Sequence, residues 1–225
     1  GRLRDAAQFR AWLFGIARNV AAGNGSTFDG IDPTNGYHPL WLAMCVPVFK
    51  LGLDDLAFLQ YTGGTTGVAK GAMLSHGNMV ANVLQSNEWI ESSFLQGRGT
   101  LITALPLYHI FALTANCLLF LRLGWRNILI VNPRDFPAFV KELKRYPFQF
   151  ISGVNTLFNA LLHTPGFDKL DFSTLRVTLG GGMAVQETVA KRWKAVTGKV
   201  LTQAWGLTET SPAACINIPN VDFNG

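Results

Sequence analysis

At 225 residues, with 48% hydrophobic and 15% charged residues, the chain is long enough to bury a sizeable core and too apolar to be a disordered segment. Its 19 basic and 14 acidic residues leave a formal net charge of +5, but the basic residues are scattered, which favours a small phosphate-bearing ligand over a nucleic acid. The three cysteines, Cys45, Cys117 and Cys215, lie far apart without metal-ligand spacing, so each is expected to be a buried thiol in a reducing compartment.

In chain order, Leu3, Phe9, Trp12, Leu13, Ile16 and Val20 share one helical face, so residues 3–22 read as an amphipathic helix followed by a polar loop over 23–36. The chain opens on Gly1 and no secretory leader is recognised in it. Two apolar stretches are tested against a membrane. Pro39 to Leu53 is broken by Pro47 and Lys50, and Cys117 to Val131 by Arg122 and Arg126, so neither reaches the roughly 20 clean residues of a spanning helix. A seam is expected near residue 52, dividing an unassigned segment, 1–52, from a domain over 53–225.

Beyond that seam, short apolar runs alternate with helical patterns. Leu56-Ala57-Phe58-Leu59 reads as a buried strand ending at Thr62, and Ser75-His76-Gly77-Asn78 as the start of a helix running from about 78 to 90. Strands are expected over 100–105, 127–131, 148–152, 175–179 and 200–203, with helices over 110–121, 136–145, 155–163 and 185–196. The helix over 136–145 has Pro137 near its first position and Lys141, Lys144 and Arg145 near its end, as the helix dipole prefers. This alternation predicts an α/β fold with a mostly parallel sheet layered with helices.

Between the first strand and the first of these helices lies Tyr61-Thr62-Gly63-Gly64-Thr65-Thr66-Gly67-Val68-Ala69-Lys70-Gly71. Its glycines let backbone N–H groups approach phosphate oxygens, its threonine hydroxyls add donors, and Lys70 adds a positive charge. A strand, this loop and a helix N-terminus would together make an anion site. The spacing is not that of the P-loop, which needs Gly, four residues and then Gly-Lys-Ser/Thr. The competing reading is an ordinary glycine-rich hairpin turn.

Three later motifs acquire meaning beside that loop. Leu105-Pro106-Leu107-Tyr108-His109-Ile110-Phe111 places a histidine at a strand's carboxyl end, the ligand side of an open sheet, although a lone histidine is more often structural. Gly180-Gly181-Gly182-Met183 lets a flat ring lie against bare backbone, or is simply a tight turn. Trp205-Gly206-Leu207-Thr208-Glu209-Thr210 joins an aromatic platform, a hydroxyl and a carboxylate of the kind that holds Mg2+ against phosphate, where the bland reading of Glu209 is a solvated charge.

With these four motifs in this order, the segment from Leu53 to Gly225 resembles the adenylate-forming (AMP-binding) superfamily, in particular bacterial long-chain fatty acyl-CoA synthetases. The resemblance implies part of that family's large domain. It implies that Thr62, Gly63, Gly64, Thr65, Thr66, Gly67 and Lys70 wrap the ATP phosphates, and that Gly181 and Gly182 line the adenine and acyl pockets. By the same resemblance Trp205 flanks adenine in place of a more usual tyrosine, Thr208 contacts the α-phosphate, Thr65 and Glu209 hold Mg2+, and His109 borders the carboxylate. Lys70, His109, Thr208 and Glu209 would then be catalytic, with ATP, Mg2+ and coenzyme A as cofactor and co-substrates and a fatty acid as substrate. Ala69 stands where many relatives have proline.

A complete synthetase of this family is much longer, with a ribose-binding aspartate, a hinge and a small lysine-bearing domain beyond the point where this sequence stops. This chain alone is therefore expected to show little or no ligase turnover. Ile16 to Gly30 and Pro33 to Leu42 resemble a loop of bacterial membrane glycosyltransferases, and Phe9 to Asn19 resembles a sigma-factor helix, so the segment 1–52 is read as foreign or chimeric. A non-enzymatic scaffold, an aryl-CoA ligase, a luciferase-like enzyme or a peptide-synthetase adenylation domain are the alternatives. The expected location is cytoplasmic, with peripheral contact at a membrane's inner face left open.

Overall fold

The computed structural model describes residues 52–62, 70–91, 99–219 and 221. The helix expected over 3–22, the loop over 23–36, the glycosyltransferase-like segment, the seam near 52 and the loop residues Gly63, Gly64, Thr65, Thr66 and Gly67 lie outside or at the limit of the described residues.

Strands β1 (Leu56–Thr62) and β2 (Lys70–Ser75) pair antiparallel, with Leu59 opposite Met73 and Thr62 opposite Lys70. This corrects the expected passage from strand through loop into helix. The chain first returns along β1, and only then enters helix α1 (His76–Glu91). The reason is visible in the alternation of β2, where Leu74 is buried and Met73 exposed, the period of a strand rather than of a helix. Nor is β1 a buried strand: Ala57 is covered, while Leu56, Leu59 and Tyr61 are exposed. Helix α1 opens on a reciprocal cap in which Asn78 Oδ1 accepts from the Ser75 backbone N–H at 3.1 Å and Ser75 Oγ accepts from that of Asn78 at 3.2 Å.

The rest of the chain builds a six-stranded sheet from β3 (Thr100–Thr103), β4 (Arg126–Leu129), β5 (Phe150–Gly153), β6 (Val177–Gly180), β7 (Leu201–Gly206) and β8 (Ala213–Ile216), in the order β4-β3-β5-β6-β7-β8. All neighbours run parallel except β7 and β8. The mostly parallel sheet expected from the alternation is therefore present. β5 and β6 are buried along their whole length, as central parallel strands covered on both faces must be.

Two apolar clusters lie on the sheet. One packs Met79, Val83 and Ile90 of α1 with Phe111, Leu118, Phe120 and the sheet residues Leu101, Phe150 and Leu179. The other packs α4 (Phe136–Arg145), α5 (Asn155–His163) and α6 (Glu187–Thr197) through Phe139, Leu143, Phe158, Leu161 and Trp193 against Ile102, Ile151 and Leu201. The bounds of α4 and α5 are those expected from sequence. Asp135 caps α4 by accepting from the Ala138 backbone N–H at 3.1 Å, with Pro137 in the first turn.

Helix α6 ends at Gly198 in the left-handed conformation, φ 71°, with nothing within 4 Å of the position a Cβ would take. Gly198→Ala is therefore expected to cost about 1 kcal/mol from backbone conformation alone, read as a lowered urea midpoint at unchanged slope.

The helix expected over 110–121 is composite. α2 (Ile110–Ala112) runs into a π-helical stretch, Leu113–Leu118, and continues as α3 (Leu119–Arg122). Inside the stretch both buried polar side chains are satisfied. Thr114 Oγ1 donates to the Ser211 carbonyl at 3.0 Å, while Asn116 Nδ2 donates to Thr103 Oγ1 at 2.9 Å and Asn116 Oδ1 accepts from Ser152 Oγ at 2.8 Å.

Two cysteines depart from expectation, while Cys45 lies outside the described residues. Cys215 is exposed on the edge strand β8, and Cys117 is half-buried, with burial pushing its thiol pKa up. Among the described residues no helix is long and apolar enough to cross a membrane.

Candidate active site

A cavity of about 400 Å3 opens at the carboxyl ends of the parallel strands. The strand order reverses between β3 and β5, and ligands of open parallel sheets bind beside such a reversal, outside the strands' carboxyl ends. Each wall of the mouth follows from a strand end. β3 leads into the loop carrying His109, β6 into Gly181 and Gly182, and β7 into Trp205 to Glu209. Thr62, at the end of β1, completes the rim.

Seven of the residues singled out in the sequence thus face one space: Thr62, His109, Gly181, Gly182, Trp205, Thr208 and Glu209. Lys70 is not among the lining residues. It is exposed on β2 opposite Thr62, whose hydroxyl donates to the Lys70 carbonyl at 3.3 Å.

His109 caps α2, and its Nδ1 accepts from the Phe111 backbone N–H at 3.2 Å. That bond requires an unprotonated Nδ1, so the neutral ring carries its proton on Nε2 and can donate from there. A Cβ at Gly181 would crowd the site, 3.1 Å from the Phe111 ring and 3.3 Å from the Ala204 carbonyl oxygen. Gly182 adopts φ 77°, which most side chains disfavour. Trp205 is largely exposed at the mouth and offers an open ring face.

The described residues contain no group of three or more His, Cys, Asp or Glu able to enclose a metal. Among the described residues Glu209 is the single carboxylate on the rim. This suits Mg2+, which commonly takes one or two protein carboxylates and completes its shell with phosphate and water, and it does not suit a resident all-protein metal centre.

The interior was not legible from the motifs. Asn82, Ser86, Trp89 and Ile90 of α1, Thr114 and Ala115 of the π-helical stretch, Phe150, Leu179 and Ile216 make it predominantly apolar. Asn82 matters most. Its Nδ2 donates to the carbonyls of Thr210 at 3.2 Å and Ala213 at 2.7 Å, and its Oδ1 accepts from the Ala213 backbone N–H at 3.2 Å. A helix side chain thereby holds the loop that carries Thr208 and Glu209. A signal existed in the sequence: Asn82, Ser86 and Asn87 interrupt the stripe of Met79, Val83 and Ile90, and polar residues on a buried helical face need partners or a purpose.

Compared with known proteins, the sequence matches the AMP-binding enzyme family over residues 28–224. The chain belongs to the AMP-binding enzyme family. It is 58% identical over 171 residues to a long-chain-fatty-acid--CoA ligase of Escherichia coli O157:H7, an alignment covering 76% of this chain and 30% of that protein. It is 62% identical over 158 residues to the enzyme of the same name from Yersinia pestis, covering 70% of this chain and 28% of the relative. The chain thus spans about 30% of the length of the curated relatives it matches.

Among solved structures it resembles ATP-bound MatB from Rhodopseudomonas palustris, with a TM-score of 0.65 and 29% identity over 77% of this chain and 33% of that one. It also resembles O-succinylbenzoate coenzyme A synthetase from Bacillus subtilis in complex with ATP and magnesium ion, with a TM-score of 0.64 and 25% identity over 75% of this chain and 34% of that one. Both are consistent with the layered, mostly parallel sheet of this AMP-binding chain.

Proposed function

We propose that this chain is the nucleotide- and acyl-binding core of an AMP-forming long-chain fatty acyl-CoA ligase. The carrying observation is one cavity whose mouth gathers Thr62, His109, Gly181, Gly182, Trp205, Thr208 and Glu209 and whose interior is apolar. A polar, ring-flanked mouth fits a nucleotide and an apolar interior fits an alkyl chain, so the fatty carboxylate meets the triphosphate where the two halves join. The names of the relatives support the same reading.

In the proposed reaction a carboxylate oxygen attacks the α-phosphorus of ATP, the bond to the β-phosphate oxygen breaks, and acyl-adenylate and pyrophosphate form. The thiolate of coenzyme A then attacks the acyl carbon and the bond to AMP breaks. Neither step needs a covalent nucleophile from the protein. Trp205 stacks on adenine and Gly181 admits the ring against bare backbone. Thr208 donates to the α-phosphate, and His109 donates from Nε2 to the attacking carboxylate and orients it. Lys70 and Thr62, on paired strands, contact the outer phosphates together with Gly63, Gly64, Thr65, Thr66 and Gly67. Glu209, with Thr65, would hold Mg2+, which supplies charge neutralisation at the phosphates.

The test is a titration of the chain with ATP and MgCl2, followed through the fluorescence of Trp205 at the mouth. Saturable binding is expected, weakened about tenfold, or 1.4 kcal/mol, by each of Lys70→Ala and Glu209→Ala. Binding that both variants leave untouched sinks these assignments. Absence of any binding favours the non-enzymatic scaffold instead.

A further inference from the structure

The apolar part of the cavity contains polar groups from several elements, and all but one are spoken for. Asn82 is engaged with Thr210 and Ala213. Thr114 Oγ1 donates to Ser211, and Trp89 Nε1 donates to the Asn217 carbonyl at 3.1 Å. The exception is Ser86. It is 6% exposed and lines the cavity, and among the described residues its hydroxyl has no hydrogen-bond partner.

Its position along the cavity is fixed by its neighbours on α1. Asn82 is tied to Ala213 and Trp89 to Asn217, so α1 runs alongside β8, leading inward from the loop that carries Glu209. Ser86 lies one helical turn beyond Asn82, roughly 6 Å further along the axis. A ligand whose carboxylate sits at the mouth would therefore meet the Ser86 hydroxyl along its chain and not at its head.

A plain alkyl chain pressed against that hydroxyl strips it of water and offers nothing in return, and a buried donor left without a partner is costly. An oxygen on the chain at that depth would satisfy it. A site whose hydroxyl bonds a ligand oxygen penalises an analogue lacking that oxygen by about the worth of one hydrogen bond.

We propose that Ser86 is a specificity-determining residue, and that its hydroxyl selects acyl chains carrying a hydroxyl group at an interior carbon over unsubstituted chains of the same length. The assignment rests on the reading of the apolar interior as an acyl pocket.

The experiment measures binding of decanoate and of the positional series of monohydroxydecanoates to the chain, in the presence of ATP and MgCl2, through the fluorescence of Trp89 and Trp205. At least one positional isomer is expected to bind the wild type about fivefold more tightly than decanoate, the scale of one neutral hydrogen bond. Ser86→Ala and Ser86→Val should abolish that preference and bind decanoate more tightly than the wild type does. Alanine favours the helix and valine fills the space, so the two variants perturb packing in opposite directions. If every acid binds but the ranking of isomers is the same in wild type and variants, the assignment of Ser86 fails and the acyl pocket stands. If neither decanoate nor any isomer binds saturably, the acyl-pocket reading fails and takes the assignment with it.

Discussion

Replacing Asn82 with alanine is expected to lower stability by roughly 3 kcal/mol and, at temperatures where the chain stays folded, to weaken Mg2+-dependent nucleotide binding more than magnesium-independent binding. Asn82 is 5% exposed, and its amide supplies bonds to three backbone groups of the segment Thr210 to Ala213. Truncation leaves those carbonyls and the Ala213 N–H facing a cavity that is mostly apolar, and a polar group so stranded costs about 1–3 kcal/mol. Thr114 still holds the Ser211 carbonyl from the other side, so the segment loosens without detaching. Denaturant unfolding gives the stability loss, and ATP titrations with and without MgCl2 give the coupling. A loss of stability with no change in the magnesium dependence would confine Asn82 to a structural role. Asn82→Asp separates the two contributions further, because it keeps an acceptor for Ala213 N–H but turns a negative charge toward two carbonyls.

Gly206→Ala is expected to be at least as damaging, for a steric reason. A Cβ at position 206 would overlap the Pro212 carbonyl oxygen and press on the Cα of Ala213 at 3.3 Å, so the obstacle is backbone and no side chain can swing aside. Nor can the strands part freely, since Leu207 N donates to that same Pro212 carbonyl at 3.2 Å and β8 is hydrogen-bonded to β7 through Trp205 and Ala204. Overpacking of this kind costs about 1–3 kcal/mol when a core relaxes, and more when backbone has to move. The displaced elements carry Trp205 and Thr208, so the variant should lose ATP-induced fluorescence change together with stability. A Gly206→Ala protein with wild-type midpoint and wild-type ATP response would show that β7 and β8 are not held as closely as described.

How far the sequence could be read depends on what each element asks of its neighbours. Helix α4 was legible to the residue because its signals are local: Pro137 in the first turn and basic residues in the last, to which the structure adds the Asp135 cap. That β3, β5, β6 and β7 run parallel followed from alternation with helices, though their order did not, and the mouth followed from motifs that sit at strand ends. By contrast, β2 was missed because Lys70 to Ser75 contains two glycine or alanine positions and reads like the run-in to a helix; its pairing with β1 is what makes it a strand. β8 was missed for a related reason, since Ala213 to Ile216 is four residues long and is made a strand by its register with β7. The π-helical turn has no sequence mark at all; within it, Thr114 and Asn116 find partners outside the helix, at Ser211 and at Thr103 and Ser152. The inner wall of the cavity was hidden because it is assembled from elements more than a hundred residues apart, as the bond from Asn82 to Ala213 illustrates.

Because β1 and β2 form a sheet of their own, the opposing walls at Thr62 and at Gly181 belong to two separate hydrogen-bonded frames. Among the described residues no ladder of backbone bonds sets the gap between them. It is set by side-chain contacts such as the bond from Gln60 Nε2 to the Tyr108 carbonyl at 2.8 Å, and by the packing of α1, which β2 feeds directly. A two-stranded hairpin alone is marginal in water, so a ligand that touches both walls acts as the missing rung between the frames. Linkage then makes the effect mutual: whatever fraction of its affinity such a ligand spends on fixing the gap returns as resistance of the hairpin to opening, and hydrogen exchange in residues 56–62 and 70–75 should slow when the cavity is filled.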